Sequence, residues 1–103
     1  MEKLRTLQNN QTILENDKTI KFFSYNTLIA TINKNRKNDN LQFTSKWDYS
    51  KTTIKYLYQF LNEYKCQISN NIYSKVVDAL DSTNKKVSFK NLIDNKYIKV
   101  VSD

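Results

Sequence analysis

The alternation of apolar and polar residues changes period along this chain of 103 residues. Over residues 19–25 and 27–33, apolar side chains recur at every second position, and many of them are β-branched or aromatic. This period predicts two strands joined by a tight turn at Tyr25 and Asn26. A hydrophilic loop follows over residues 33–40. The residues that follow predict a third strand and hence an antiparallel meander: Leu41, Phe43 and Thr44.

The spacing lengthens to that of a helix between residues 50 and 65. Five apolar or aromatic residues recur there in a pattern that predicts one buried stripe: Ile54, Leu57, Tyr58, Leu61 and Tyr64. Ser50 stands just before this segment, where its hydroxyl can accept a hydrogen bond from a first-turn amide and cap the helix. A second helix is predicted from about residue 71 to residue 80, capped by Ser69 or Asn70. Its predicted stripe is Ile72, Tyr73, Val76, Val77 and Leu80.

The two ends of the chain are less regular. Residues 1–18 are mostly polar and predict either an N-terminal arm or an edge strand. Residues 87–93 fit a strand or a short helix capped by Ser88, and residues 97–101 predict a final strand. We therefore expect residues 19–103 to form a single α+β domain, in which a small antiparallel β-meander packs against two helices and a C-terminal strand follows.

Missing residue types exclude several classes of site. The chain has no His, Gly or Pro and a single cysteine, Cys66. It therefore lacks the commonest general base, the usual zinc ligands, and the glycine loops that cradle phosphates. The acidic residues fall mainly at predicted element ends, so we expect no catalytic site, no metal and no cofactor. Cys66 follows the stripe of the first helix, which predicts a half-buried, inert thiol.

Asparagine is abundant, with 14 residues. Without Gly, a turn that needs a positive φ must use another residue, and Asn tolerates that conformation well. We expect this conformation or a cap at five positions: Asn26, Asn38, Asn40, Asn84 and Asn95.

The charge is strongly positive, with 17 Lys and Arg against 10 Asp and Glu. A net charge of +7 favours binding to phosphate and predicts a nucleic-acid partner. Two clusters are the candidate contacts, one in the hydrophilic loop and one on the polar face of the first helix: Lys34, Arg36 and Lys37, and Lys51, Lys55 and Gln59. The alternatives are a solvated loop tip, an ordinary helix surface, and a lysine excess caused by an AT-rich genome.

Aromatic and hydroxyl residues crowd the start of the first helix. Trp47 is expected to close the core beneath that start, although exposed aromatic residues here would also suit an interface. Hydroxyl side chains follow it in sequence: Tyr49, Ser50, Thr52 and Thr53. Beside a helix N-terminus they can form an anion site or an extended cap, and both interpretations stay open.

These residues carry a family resemblance. Residues 24–30 read S-Y-N-T-L-I-A, and residues 49–53 read Y-S-K-T-T. The chain resembles a family of small proteins encoded by phages and mobile elements, with an S-Y-x-T-x-I-A strand and a Y-S-x-T-T helix start. Tyr56 stands where that family often has His. The family has no assigned activity, so the resemblance implies an origin and no mechanism.

The paired motifs also suggest one polar network, if the hairpin end lies against the helix start. It would join Ser24, Tyr25 and Thr27 to the four hydroxyl residues named above, either as structural support or as a binding site.

Together these features predict a non-catalytic, phage-encoded binding module that acts on nucleic acid or on a host nucleoprotein complex. One alternative is a protein-directed inhibitor of a host defence system, in the manner of an anti-CRISPR protein. Another is a structural or assembly protein, which would form homo-oligomers. Residues 1–16 lack the apolar core of a signal peptide, and no segment is apolar enough to span a membrane, so we expect the host cytoplasm.

Overall fold

A computed structural model of the protein describes residues 2–8 and 10–102. Six strands form one sheet in the order of the sequence, and three α-helices complete the fold. The strands are β1 (Lys3–Gln8), β2 (Gln11–Glu15), β3 (Thr19–Ser24), β4 (Thr27–Asn33), β5 (Leu41–Thr44) and β6 (Lys99–Val101). The helices are α1 (Lys51–Tyr64), α2 (Asn70–Leu80) and α3 (Lys85–Asp94), with one turn of 3-10 helix at Lys65–Gln67. The α+β class, the meander and the C-terminal strand are confirmed.

Neighbouring strands from β1 to β5 are antiparallel, and β6 is parallel to β5. A parallel pair needs a long connection, which the three helices supply. Residues 1–18, predicted as an arm or an edge strand, contribute β1 at the sheet edge and also β2, whose Ile13 is buried. The sheet is therefore two strands wider than the predicted meander.

Aromatic contacts join the helices to one face of the sheet. The rings of Phe22 on β3 and Phe60 on α1 stack with centroids 5.6 Å apart. The ring centroid of Phe43 on β5 lies 6.0 Å from that of Phe89 on α3 and 5.5 Å from that of Trp47. Phe22 and Phe43 lie in the same row of the sheet, so α1 and α3 cover the same face. Trp47 is buried beneath the start of α1, as expected.

The buried stripe of α1 is rotated from the predicted one. Tyr56 and Phe60 are buried, whereas Ile54 and Tyr58 are only half-buried. The Tyr56 hydroxyl donates a hydrogen bond to the side chain of Gln8 on β1. Because β1 and β2 widen the sheet, they cover a side of α1 that a three-stranded meander would leave in solvent.

A bulge in β4 shapes the end of the β3–β4 hairpin. Phe22 pairs with Ala30 and Phe23 pairs with Leu28, so Ile29 is the extra residue. Ile29 and Ala30 are both buried, which strict alternation does not allow. The bulge therefore adds Ile29 to the buried side of the hairpin.

The left-handed positions differ from the predicted asparagines. Among the described residues, positive φ angles occur at Asn10, Tyr25, Asn26, Asp39 and Lys96. Of the five predicted asparagines, Asn26 takes the left-handed conformation, and Asn84 and Asn95 cap the two ends of α3. Asn40 is buried instead, because its side chain accepts from the Ser69 amide and donates to the Gln67 carbonyl, each at 2.8 Å. It anchors the β4–β5 loop to the start of α2.

Three further local predictions are corrected. Residues 87–93 are helical, and the cap is Asn84, whose side chain accepts from the Val87 amide at 3.3 Å, rather than Ser88. Cys66 is exposed because it lies in the 3-10 turn beyond the stripe of α1. Tyr73 is also exposed, since α2 presents its neighbour Ile72 to the core. No helix in the described ranges is long and apolar enough to span a membrane.

Candidate functional site

A cavity of about 600 Å³ lies where the β3–β4 hairpin meets the start of α1. We call it the motif cleft. Its lining contains all seven hydroxyl residues of the predicted polar network and two further residues, Ile29 and Lys46: Ser24, Tyr25, Thr27, Ile29, Lys46, Tyr49, Ser50, Thr52 and Thr53. The hairpin end and the helix start are thus brought together, although 20 residues separate Ile29 from Ser50 in the chain.

Hydrogen bonds organise the back wall of the motif cleft. The Ser24 and Thr53 hydroxyls are 3.0 Å apart, and the two residues are only 3% and 1% exposed. The Ser50 hydroxyl donates to the Thr53 hydroxyl and accepts from the Thr53 amide, both at 3.1 Å. Ser50 is therefore the predicted N-cap of α1. These three residues tie the hairpin to the helix.

Two tyrosines stand at the mouth of the cleft. Tyr25 is 53% exposed and Tyr49 is 71% exposed. Tyr25 and Asn26 form the two-residue turn with φ angles of 51° and 66°, and the Tyr25 amide donates to the Asn10 carbonyl at 2.7 Å. A left-handed conformation costs a bulky residue steric energy, and such residues cluster at binding sites. The turn therefore keeps the Tyr25 side chain at the cavity although its backbone conformation is sterically unfavourable.

The charged groups at the cleft are positive. Lys46 is in the lining, which contains no carboxylate among the described residues, and α1 begins there with no acidic residue in its first turn. First-turn amides lack partners within a helix, and the aligned peptide dipoles add partial positive charge. Ser50 caps the Thr53 amide, while Thr52 is exposed. The cleft can therefore hold an anionic group beside aromatic and hydroxyl surfaces.

Sequence reasoning missed two residues of this lining. Ile29 reaches it through the bulge, which the alternation of β4 does not reveal. Lys46 lies three residues before the hydroxyl motif. Its position directly before Trp47 is the feature of the sequence that could have placed it near the start of α1. A third missed feature lies nearby: Gln11, which pairs with Ser24 across β2 and β3, is fully buried, and its amide has no hydrogen-bond partner among the described residues.

The predicted cationic contacts do not share this site. Lys51, Lys55 and Gln59 are exposed along α1, and the Lys55 ammonium lies 5.5 Å from the Tyr56 ring centroid. Lys34 is held by an ion pair in which its ammonium lies 2.7 Å from a Glu15 carboxylate oxygen.

Arg36 and Lys37 follow the far end of β4. This strand has seven residues, so the loop lies about 20 Å from the motif cleft. Arg36 lines a separate cavity there. The loop cluster therefore lies apart from the motif cleft.

A second network crosses the sheet near Lys34. Arg5 on β1 donates to the Glu63 carboxylate, and its guanidinium lies 5.6 Å from the ring centroid of Tyr64. This hydrogen bond to Glu63 raises the pKa of Arg5 further above its usual range. Within residues 2–8 and 10–102, no group of three or more acidic or thiol side chains could hold a metal ion.

Comparison with known protein families gives a match over most of the chain. A family model described as "Family of unknown function (DUF8033)" matches residues 2–78, from β1 to the interior of α2. The matched segment contains the whole motif cleft, and α3 and β6 lie outside it. No curated protein and no solved structure matches the chain.

Proposed function

The chain belongs to this family of unknown function, DUF8033, and we propose that it is a non-catalytic binding module whose motif cleft takes single-stranded nucleic acid. The observation that carries the proposal is the convergence of two exposed tyrosines and Lys46 on one cavity with a positive helix terminus. The resemblance of its motifs to phage and mobile-element proteins supports a partner in the host cytoplasm, either free nucleic acid or a nucleoprotein complex.

The chemistry of the cleft suits a nucleotide unit of a strand. Proteins that bind single strands stack bases on aromatic rings and hold the backbone with cations. Tyr25 and Tyr49 supply the rings, Lys46 and the start of α1 supply the positive charge, and Thr27 and Thr52 offer hydroxyls to polar edges. A concave site of about 600 Å³ fits an unstacked base, whereas a duplex keeps its bases inside the helix.

The net charge supports the same ligand class. A charge of +7 attracts phosphate at long range, and affinity for a polyanion falls with added salt. The exposed cations of α1, Lys51 and Lys55, lie on the helix that begins at the cleft and can extend the contact along a strand.

The test is binding of labelled single-stranded DNA and RNA, and of a duplex, measured by fluorescence anisotropy between 50 and 200 mM salt. Replacing Tyr49 by alanine should cost about 1–3 kcal/mol of binding, which is about 5- to 150-fold in affinity. Tyr73→Ala is the matched control, because Tyr73 is an exposed tyrosine on α2 outside the cleft. Its affinity should stay within about two-fold of the parent.

Replacing Lys46 by alanine should reduce the slope of log affinity against log salt by about 0.7, the value for one phosphate contact on a single strand. The control is Lys90→Ala, an exposed lysine of α3 outside the cleft. Equal losses in the test and control variants would mean that general charge, and not the motif cleft, binds the strand. Absence of binding to any single strand would reject the proposal.

A protein-directed inhibitor is the second candidate, favoured by the same exposed tyrosines, since Tyr is a frequent anchor at protein interfaces. Affinity purification from host cells, with and without nuclease, separates the two. Capture of one host protein that survives nuclease and 200 mM salt, and that Tyr49→Ala abolishes, would favour the inhibitor. Nuclease-sensitive capture would favour nucleic acid.

A further inference from the structure

A second cavity of about 510 Å³ lies at the opposite end of the sheet from the motif cleft. Three cations from separate segments line it: Arg36 in the β4–β5 loop, Lys96 after α3 and Lys99 in β6. We call it the cationic cavity. The rest of its lining comprises one carboxylate and three apolar residues: Asp39, Ile93, Ile98 and Val100.

The three cations have no ion pair within the part of the chain that the structure describes. Arg36 donates from Nε to the Asn38 carbonyl at 3.1 Å, which fixes the guanidinium and leaves its two terminal nitrogens for a ligand. Asp39 is hydrogen-bonded to Asn71 on α2. Its carboxylate accepts from the Asn71 side chain at 2.8 Å, and its backbone amide donates to the Asn71 side-chain oxygen at 3.1 Å. Asp39 keeps its negative charge, so its carboxylate offsets one of the three cations and the lining retains an excess of positive charge.

Lys96 has a left-handed backbone conformation, which lysine adopts at a steric cost. It follows the C-cap Asn95 of α3 with a φ angle of 69°, where Gly or Asn is usual. Its amide donates to the Ile93 carbonyl at 3.0 Å, one of four backbone hydrogen bonds that satisfy the last carbonyls of the helix. Asn is abundant in this chain and stands directly before it. The structure thus accepts a steric cost for a lysine side chain at the cavity.

We propose that the cationic cavity binds a phosphate group attached to an organic body. A planar guanidinium can hold two phosphate oxygens while two ammonium groups add point charges. The apolar side chains of Ile93 and Val100 give the uncharged part of the ligand a surface that inorganic phosphate does not need. The phosphate can come from a free nucleotide or from a nucleic-acid strand, and the site does not depend on the motif cleft.

The test is an amide NMR titration of the full chain with adenosine monophosphate, with adenosine and inorganic phosphate as comparison probes. Adenosine monophosphate should shift the Arg36, Lys96 and Lys99 amides saturably, adenosine should not, and inorganic phosphate should bind more weakly. Lys96→Asn should weaken binding at least about five-fold, because one charge-assisted contact is lost. Its melting temperature should not fall, since Asn accepts the left-handed conformation more readily.

Lys90→Asn is the matched control, because Lys90 is an exposed lysine of α3 that does not line the cavity. Its affinity should stay within about two-fold of the parent. An equal loss in both variants, identical shifts with adenosine, or no saturation would overturn the site.

Competition then identifies the source of the phosphate. A single-stranded oligonucleotide that displaces adenosine monophosphate from the cavity assigns the site to a strand, and retention of the nucleotide assigns it to a free ligand. Tyr49→Ala should leave this titration unchanged, so the motif cleft and the cationic cavity can fail separately.

Discussion

Polar side chains are hydrogen-bonded and buried at one end of the sheet, and at the other they are charged and, in the described part of the chain, without ion pairs. At the motif cleft, Ser24 and Thr53 are buried and hydrogen-bonded to one another, and Ser50 completes the network. At the cationic cavity, Arg36 and Lys99 remain without ion pairs among the described residues. Removing a partner from a buried network leaves other polar groups unsatisfied, whereas an unpaired surface charge stabilises the fold little. We therefore expect stability to depend on the motif cleft and much less on the cationic cavity.

The largest expected effect is that of Thr53→Val. Valine keeps the shape of the side chain but removes the hydroxyl that Ser24 and Ser50 contact. The buried Ser24 hydroxyl then loses its partner, which should lower the free energy of unfolding by about 2 kcal/mol. Urea denaturation of parent and variant measures this difference. A loss below about 0.5 kcal/mol would mean that the network does not stabilise the hairpin against α1.

Tyr58→Phe is the matched control, because it also deletes one buried hydroxyl. The Tyr58 hydroxyl has no hydrogen-bond partner among the described residues, and its ring stacks on Phe89 at 5.4 Å. Its removal should leave the free energy of unfolding at pH 7 unchanged or slightly raised.

The same variant tests a pH dependence. Burial raises the pKa of Tyr58 to about 12, so the folded state favours the neutral phenol. This contribution is fully present below about pH 10, the pKa of an unfolded tyrosine, and is lost as the pH rises toward 12. The parent should therefore lose more stability over that interval than the Phe variant. Equal losses would show that Tyr58 does not titrate in the folded state as described.

The intermediate effect is that of Ser50→Ala. Alanine removes the acceptor for the Thr53 amide and should cost about 1 kcal/mol of unfolding free energy. Ser50→Asp keeps an acceptor at the N-cap and should retain most of the stability. If the alanine and aspartate variants were equally unstable, the loss would come from packing and not from the cap.

The smallest effect is expected at the cationic cavity. Arg36→Ala should change the free energy of unfolding by less than about 0.5 kcal/mol, since an exposed charge without an ion pair contributes little. Lys34→Ala removes the partner of Glu15 and should cost up to about 1 kcal/mol. Thermal melts of both variants compare these values. A larger loss for Arg36→Ala than for Lys34→Ala would reverse the assigned roles of these two residues.

Local features of the fold were predictable because they depend on neighbours in the chain. The period-two segments predicted β3 and β4, the turn at Tyr25 and Asn26 joins them, and Ser50 caps α1. Errors arose where a distant segment decides burial. Tyr56 is buried because Gln8 on β1 lies over it, and no local pattern in α1 reports that neighbour.

The candidate sites divide in the same way. Seven of the nine residues that line the motif cleft were predicted from two short motifs, and their meeting depends only on the hairpin lying against the helix start. The cationic cavity could not be predicted, because Arg36 and Lys99 are far apart in the chain and meet only when β6 pairs with β5.

What the sequence determines by itself is the central hairpin, the first two helices, the class of fold and the hydroxyl composition of the cleft, since periodicity and capping act within a few residues. Tertiary structure alone decides which charges are paired. Lys34 finds Glu15 across the sheet, while Arg36, two residues later, joins Lys96 at another cavity. Side chains two residues apart can end in different environments because strand pairing and the return of β6 fix their neighbours, and the chain order does not.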